Sequence, residues 1–102
     1  MTNFELRYSP LFYEDLDRIA NYILLDLKNE IATKTFIHDV ETAIKRRLEN
    51  PLHAAICPSM RRRKHEYRRI LVGNYLIFYV VIEHTMVVRR LLYGRRDLDK
   101  IL

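Results

Sequence analysis

Six basic side chains, Arg61, Arg62, Arg63, Lys64, Arg68 and Arg69, fall within the sixteen residues from Arg61 to Leu76, and Arg90, Arg95 and Arg96 follow. Cations at this density can neutralise phosphates or meet an acidic protein segment, and a solvated basic loop is the plainer alternative. Arg90 and Arg96 are candidate phosphate ligands, although Arg96 beside Asp97 could equally sit in an ion pair. Tyr93 could exchange a proton through its phenol, or pack at a strand end with its hydroxyl in water. Other chemistry finds little footing. His38, His53, His65 and His84 lack metal-ligand spacing, so no metal is expected. Cys57, between Ile56 and Pro58, has no partner histidine arguable from sequence, and no Ser-His-Asp or paired-carboxylate arrangement stands out.

The charge is unevenly spread. Residues 1–50 hold seven Lys/Arg against nine Asp/Glu, whereas residues 51–102 hold eleven against four, so the formal +5 belongs to the second half. With 102 residues, 49% hydrophobic and 30% charged, the chain suits one globular domain over 1–102. One cysteine excludes an internal disulfide and fits a reducing cytosol. No apolar run reaches the roughly 18 residues of a membrane span, and Glu5, Glu14, Asp15 and Asp17 stand where a signal peptide would be apolar. A cytoplasmic protein without membrane association is expected. Two glycines and three prolines argue against linkers and Gly-rich phosphate loops, and no cofactor is expected.

The elements that must position these side chains can be read from periodicity. Phe4, Leu6 and Tyr8 alternate with polar residues, predicting a half-buried strand over 3–8. Ser9-Pro10 reads as a helix N-cap followed by proline in the first turn. Phe12, Leu16, Ile19, Ile23 and Leu27 predict an amphipathic helix over about 10–28, with Glu14, Asp15 and Asp17 on the favourable side of its dipole. Asn29 is placed to close that helix and cap the next. Phe36, Ile37, Val40, Ala43, Ile44 and Leu48 carry the second helix over 30–49, stopped by Asn50-Pro51, and the short joint predicts an antiparallel hairpin. Residues 51–66 read as a loop, with room for a short strand or turn inside it. Three strands follow, 67–72, 75–83 and 85–93, joined at Gly73-Asn74 and Glu83-His84, with the apolar 75–82 run as the central strand. Residues 95–102 suggest one or two helical turns. The result is an α+β domain: an N-terminal strand, a helix hairpin on one face of a sheet, and a three-stranded antiparallel meander. The opposite sheet face and the arginine-bearing loop edge are expected to be left for a partner.

This order, and several stretches within it, resemble the RelE/ParE superfamily of toxins from type II toxin–antitoxin modules, which includes proteins labelled plasmid stabilisation proteins. The matching stretches are Leu6-Arg7-Tyr8-Ser9-Pro10, Asp15-Leu16-Asp17-Arg18-Ile19 with Tyr22-Ile23, and Leu48-Glu49-Asn50-Pro51. The strand pair from Tyr67 to Tyr79 and the closing Arg90-Leu91-Leu92-Tyr93-Gly94-Arg95-Arg96-Asp97 complete the likeness, which covers nearly the whole chain.

The resemblance implies a growth-inhibiting toxin silenced by a small cognate antitoxin, an arrangement open to a toxin–antitoxin hetero-oligomer. It implies one of two targets. RelE-like members cut mRNA on the ribosome, whereas ParE-like members poison DNA gyrase. If the chain is a ribosome-dependent endoribonuclease, Arg68, Arg90 and Arg96 would hold the phosphate and Tyr93 would assist proton transfer. Arg61, Arg62, Arg63, Lys64, Arg69, Arg90 and Arg95 would bind the anionic target or partner in either case. RelE-like nucleases usually place an arginine directly after the tyrosine that opens the central strand, where this chain has Leu76 after Tyr75. The aromatic residue that nuclease members carry near the C-terminus has no counterpart in 97–102. The long first helix and the Leu-Tyr-Gly-Arg-Arg-Asp ending look more ParE-like, so gyrase inhibition is the first expectation and mRNA cleavage the alternative.

Overall fold

A computed structural model describes residues 3–54, 56 and 65–94. The first strand, β1 (Glu5–Tyr8), alternates exposed and half-buried residues as its sequence alternates polar and apolar ones. Helix α1 (Pro10–Asn21) follows with proline in its first turn, where a missing N–H costs nothing. Ser9 does not cap it through its side chain, contrary to the expectation from sequence. Its hydroxyl donates instead to the Arg89 carbonyl at 2.7 Å, so the corner between β1 and α1 is tied to the last strand.

Helix α1 is also shorter than its periodicity predicts. A π-helical turn, Tyr22–Asp26, replaces the last turns of the expected helix, with the Leu27 N–H donating to the Tyr22 carbonyl at 3.2 Å. Widening the turn shifts the phase of the side chains. Ile23 stays buried, but Leu27, expected on the apolar face, is exposed, as are Leu24 and Leu25. Lys28, at φ +52°, turns the chain into helix α2 (Glu30–Leu48). The expected cap is present: Asn29 Oδ1 accepts the Ala32 N–H at 2.9 Å. Thr33, Phe36, Val40 and Ile44 form the buried stripe of α2, and the Thr33 hydroxyl is satisfied by the Asn29 carbonyl.

After Asn50, a 3-10 turn (Pro51–His53) ends the helix layer. The strands β2 (Arg68–Val72), β3 (Tyr75–Ile82) and β4 (Thr85–Tyr93) form the predicted antiparallel meander. Gly73, at φ +58°, supplies the backbone conformation that the two-residue β2–β3 turn requires. Strand β1 lies parallel to β4, with Leu6 opposite Met86 and Tyr8 opposite Val88. The sheet is therefore mixed, in the order β1-β4-β3-β2, and β2 is an edge strand.

The helices pack on one sheet face. Phe12, Ile19, Ile23, Phe36, Val40 and Ile44 meet Ile70, Ile77, Tyr79, Met86, Val88 and Leu91. Full burial of such an aliphatic or aromatic side chain stabilises by roughly 1.5–3 kcal/mol. The Tyr79 hydroxyl donates to the Pro51 carbonyl at 2.5 Å and joins the central strand to the end of the helix hairpin. The opposite face is not simply open, as the sequence had suggested: Leu76, Phe78, Val80 and Leu92 are buried there as well. Burial on both faces accounts for the unbroken apolar run of β3. Among the described residues, no helix is long and apolar enough to cross a membrane. The expected helical tail over 95–102 lies outside the described residues.

Candidate functional site

A β-bulge sets the geometry of the last strand. Phe78 opposes Arg90 while Tyr79 opposes Val88, which makes Arg89 an extra residue in β4. Beside the bulge, the Asp15 carboxylate of α1 accepts the Leu91 N–H at 2.9 Å. The same carboxylate receives Arg90 Nε at 2.7 Å and Nη2 at 3.0 Å, and Arg18 Nη2 at 3.2 Å from its exposed side. Asp15 is only 1% exposed. The hydrogen bonds that Arg90 donates to Asp15 hold its pKa above the ordinary arginine value. Arg90 is thus engaged with helix α1 through Asp15. In sequence Asp15 stands as a dipole-favourable residue within a family-matching stretch; its place between Phe12 and Ile19 on the apolar stripe is the available sign of its burial.

The other described candidates separate. Arg68 donates from Nη1 to the Ala54 carbonyl at 3.0 Å, and its backbone forms a bridge with Ile56. It serves to fasten the segment before β2. Arg69 is exposed and forms no ion pair among the described residues. Tyr93 is 55% exposed, with its ring 5.2 Å from that of Tyr75 in an edge-to-face arrangement. Burial, reinforced by Tyr93 and Tyr22, raises the Tyr75 pKa, so its phenol stays neutral. Arg61, Arg62, Arg63, Lys64, Arg95, Arg96 and Cys57 lie outside the described residues.

Arg69 and Tyr93 share a cleft of ≈ 500 Å³ with Leu71, Leu76 and the Gly73-Asn74 turn. The turn is held to the end of β4 by the Gly94 N–H, which donates to the Asn74 carbonyl at 2.7 Å. Leu76, at the position where a nuclease would carry a cation, is 4% exposed and forms an apolar wall. The cleft can therefore take an apolar group beside one positive charge. It brings Tyr93 near Arg69 but not near Arg68 or Arg90, whose guanidinium groups are held at Ala54 and Asp15. Among the described residues, no group of three or more His, Cys, Asp or Glu could hold a metal ion.

Comparison with known proteins identifies the lineage of this arrangement. The sequence profile of the family described as ParE toxin of type II toxin-antitoxin system, parDE, matches residues 6–98. No curated protein sequence matches significantly. A chain of the chromosomal ParDE toxin–antitoxin system from P. aeruginosa superposes with a TM-score of 0.73 at 15% identity, over 93% of this chain and 100% of that one. The isolated E. coli RelE toxin superposes with a TM-score of 0.59 at 14% identity, over 97% and 99% of the two chains. At these identities the structural likeness speaks for the shared fold, and the profile match carries the assignment: the chain belongs to the ParE toxin family of type II toxin–antitoxin systems.

Proposed function

We propose that this toxin inhibits growth by binding a cellular target, DNA gyrase, and does not cut mRNA. The observation that supports this reading is the engagement of two of the three arginines that cleavage would use, Arg68 and Arg90; the third, Arg96, lies outside the described residues. Arg90 is locked on Asp15, Arg68 is spent on a carbonyl, and Leu76 gives the cleft an apolar wall. Cleavage through a 2′-hydroxyl needs a proton acceptor and cations placed around one phosphate. Inhibition by binding needs only a complementary surface, which a mixed apolar and basic cleft can supply. As one half of a toxin–antitoxin pair, the toxin is silenced by an antitoxin whose acidic groups suit the basic second half of this chain.

Induced expression followed in parallel by growth, DNA integrity and primer extension on mRNA tests the proposal. Growth arrest with gyrase-linked DNA breaks and intact message is expected. Message cut on the ribosome in codon register, with intact DNA, would establish the RelE-like alternative instead.

A further inference from the structure

We infer that the outer edge of β1 pairs antiparallel with β1 of a second copy of this chain, about a two-fold axis at Leu6, joining two four-stranded sheets into one.

Strand β1 ends the sheet on the side away from β2, and its backbone groups point in two directions. The Glu5 N–H donates to the His84 carbonyl at 2.7 Å and the Ser9 N–H to the Val88 carbonyl at 2.9 Å. Alternate residues of a strand turn their N–H and C=O to the same side, so Glu5, Arg7 and Ser9 face β4 while Leu6 and Tyr8 face outward. Among the described residues, β4 alone pairs with β1. An edge of this kind is a template for a further strand.

The residue order along the edge selects the partner. On either side of Leu6 the chain carries one charged residue and then one aromatic residue, Phe4-Glu5-Leu6-Arg7-Tyr8, with the two charges of opposite sign. In an antiparallel pair centred on Leu6, the two Leu6 residues exchange their outward hydrogen bonds. Phe4 then stands opposite the second copy's Tyr8, and Glu5 opposite its Arg7 in the non-hydrogen-bonded site, where side chains come closest. The axis repeats each contact, as an isologous interface requires. Glu5 and Arg7 are both exposed, and neither forms an ion pair among the described residues. Charges of like sign on an edge strand keep other strands away, but these two attract a copy in this register. An in-register parallel pair would set like charges side by side, so the same residues exclude it.

Apolar surface flanks the edge. Leu6 and Tyr8 pack against the core from the helix side, and the Tyr8 ring lies 5.4 Å from that of Tyr13, which is 51% exposed. Before the strand, the Phe4 ring lies 6.0 Å from that of His84. The antiparallel pair brings Tyr8 and Tyr13 of each copy towards Phe4 and His84 of the other. Arg69 is on the far edge, β2, about 14 Å away across the sheet and beyond the screening length of about 8 Å, so its charge does little to oppose the contact. A nucleic acid fits this edge less well, because its phosphates would meet a carboxylate as often as a cation.

Sedimentation velocity of the full chain, purified free of antitoxin and followed over a wide range of concentration, tests the proposal. A concentration-dependent dimer is expected. Glu5→Arg and Arg7→Glu each replace both attractive pairs with repulsive ones and should weaken it by about tenfold or more. Mixing the two variants sets opposite charges across the axis again, so a heterodimer of near-parental affinity should form. The double substitution Glu5→Arg/Arg7→Glu should restore the homodimer for the same reason. Arg69→Glu should leave dimerisation within about twofold. Circular dichroism melts establish that each variant is folded. A monomer at every concentration overturns the proposal, as does a dimer indifferent to Glu5→Arg and Arg7→Glu. A loss that neither mixing nor the double substitution recovers, or an equal loss in Arg69→Glu, overturns it as an effect of net charge or of folding. A monomeric toxin whose affinity for the product of the adjacent reading frame, or for a short single-stranded RNA, falls in both single variants assigns the edge to that partner and overturns it too.

Discussion

Asp15 and Arg90, seventy-five residues apart, form a two-pronged ion pair in which Nε and Nη2 of the guanidinium reach the two carboxylate oxygens at 2.7 and 3.0 Å. The pair joins helix α1 to strand β4 at the bulge, where the Leu91 N–H also needs an acceptor. Removing one member of a buried pair leaves the other charge without compensation and costs about 3–5 kcal/mol. Asp15→Ala is therefore expected to destabilise by about 3 kcal/mol or more in urea unfolding. Arg90→Lys, which keeps the charge but loses the fork, should cost less than Asp15→Ala. A midpoint unchanged in Asp15→Ala would contradict the structural role.

The Tyr79 hydroxyl ties the fully buried centre of β3 to the Pro51 carbonyl. Tyr79→Phe retains the ring and deletes this bond, so a loss of about 1–2 kcal/mol is expected from thermal or urea unfolding. A stability equal to that of the parent would show that the carbonyl finds another donor without cost.

The two hairpin turns make opposite predictions. Gly73 and Glu83 both have positive φ, +58° and +56°, yet only the first is a glycine. Glu83→Gly should stabilise by about 1 kcal/mol by relieving backbone strain, and Gly73→Ala should destabilise by about the same amount. Paired melts of the two variants check the signs.

Burial raises the pKa of Tyr75 and of Tyr8 above the ordinary tyrosine value of 10.0. The folded state holds these protons more tightly than the unfolded state does. Their contribution is therefore fully present below pH 10 and is lost as pH rises through the folded pKa values. Urea midpoints should fall through this alkaline range, and Tyr75→Phe should flatten the decline; an unchanged slope would contradict the assignment.

Asn29 and Ser9 show how far local signals reach. Both are good N-cap residues, and both precede a helix. Asn29 caps α2 as expected, its Oδ1 accepting the Ala32 N–H of the next turn. Ser9 is turned away by the Arg89 carbonyl, eighty residues distant. Leu27 illustrates the same limit, since its helical spacing was clear but the π-helical turn rotates it into solvent. In the site, Arg68, Arg69 and Arg90 look alike as basic residues in strands. One holds a loop carbonyl, one stands exposed and one is buried against Asp15.

The sequence by itself determined the order of elements, the helix hairpin, the meander with its Gly73-Asn74 turn, and the concentration of positive charge in residues 51–102. These follow from periodicity, turn chemistry and composition, which act over a few residues or over none in particular. Only the tertiary structure decided the parallel pairing of β1 with β4, the burial of both faces of β3, and which of Arg68, Arg69 and Arg90 stands exposed. Those depend on distant groups converging at one place: the bulge at Arg89 leaves the Leu91 N–H and the Arg90 guanidinium beside α1, and Asp15 satisfies both.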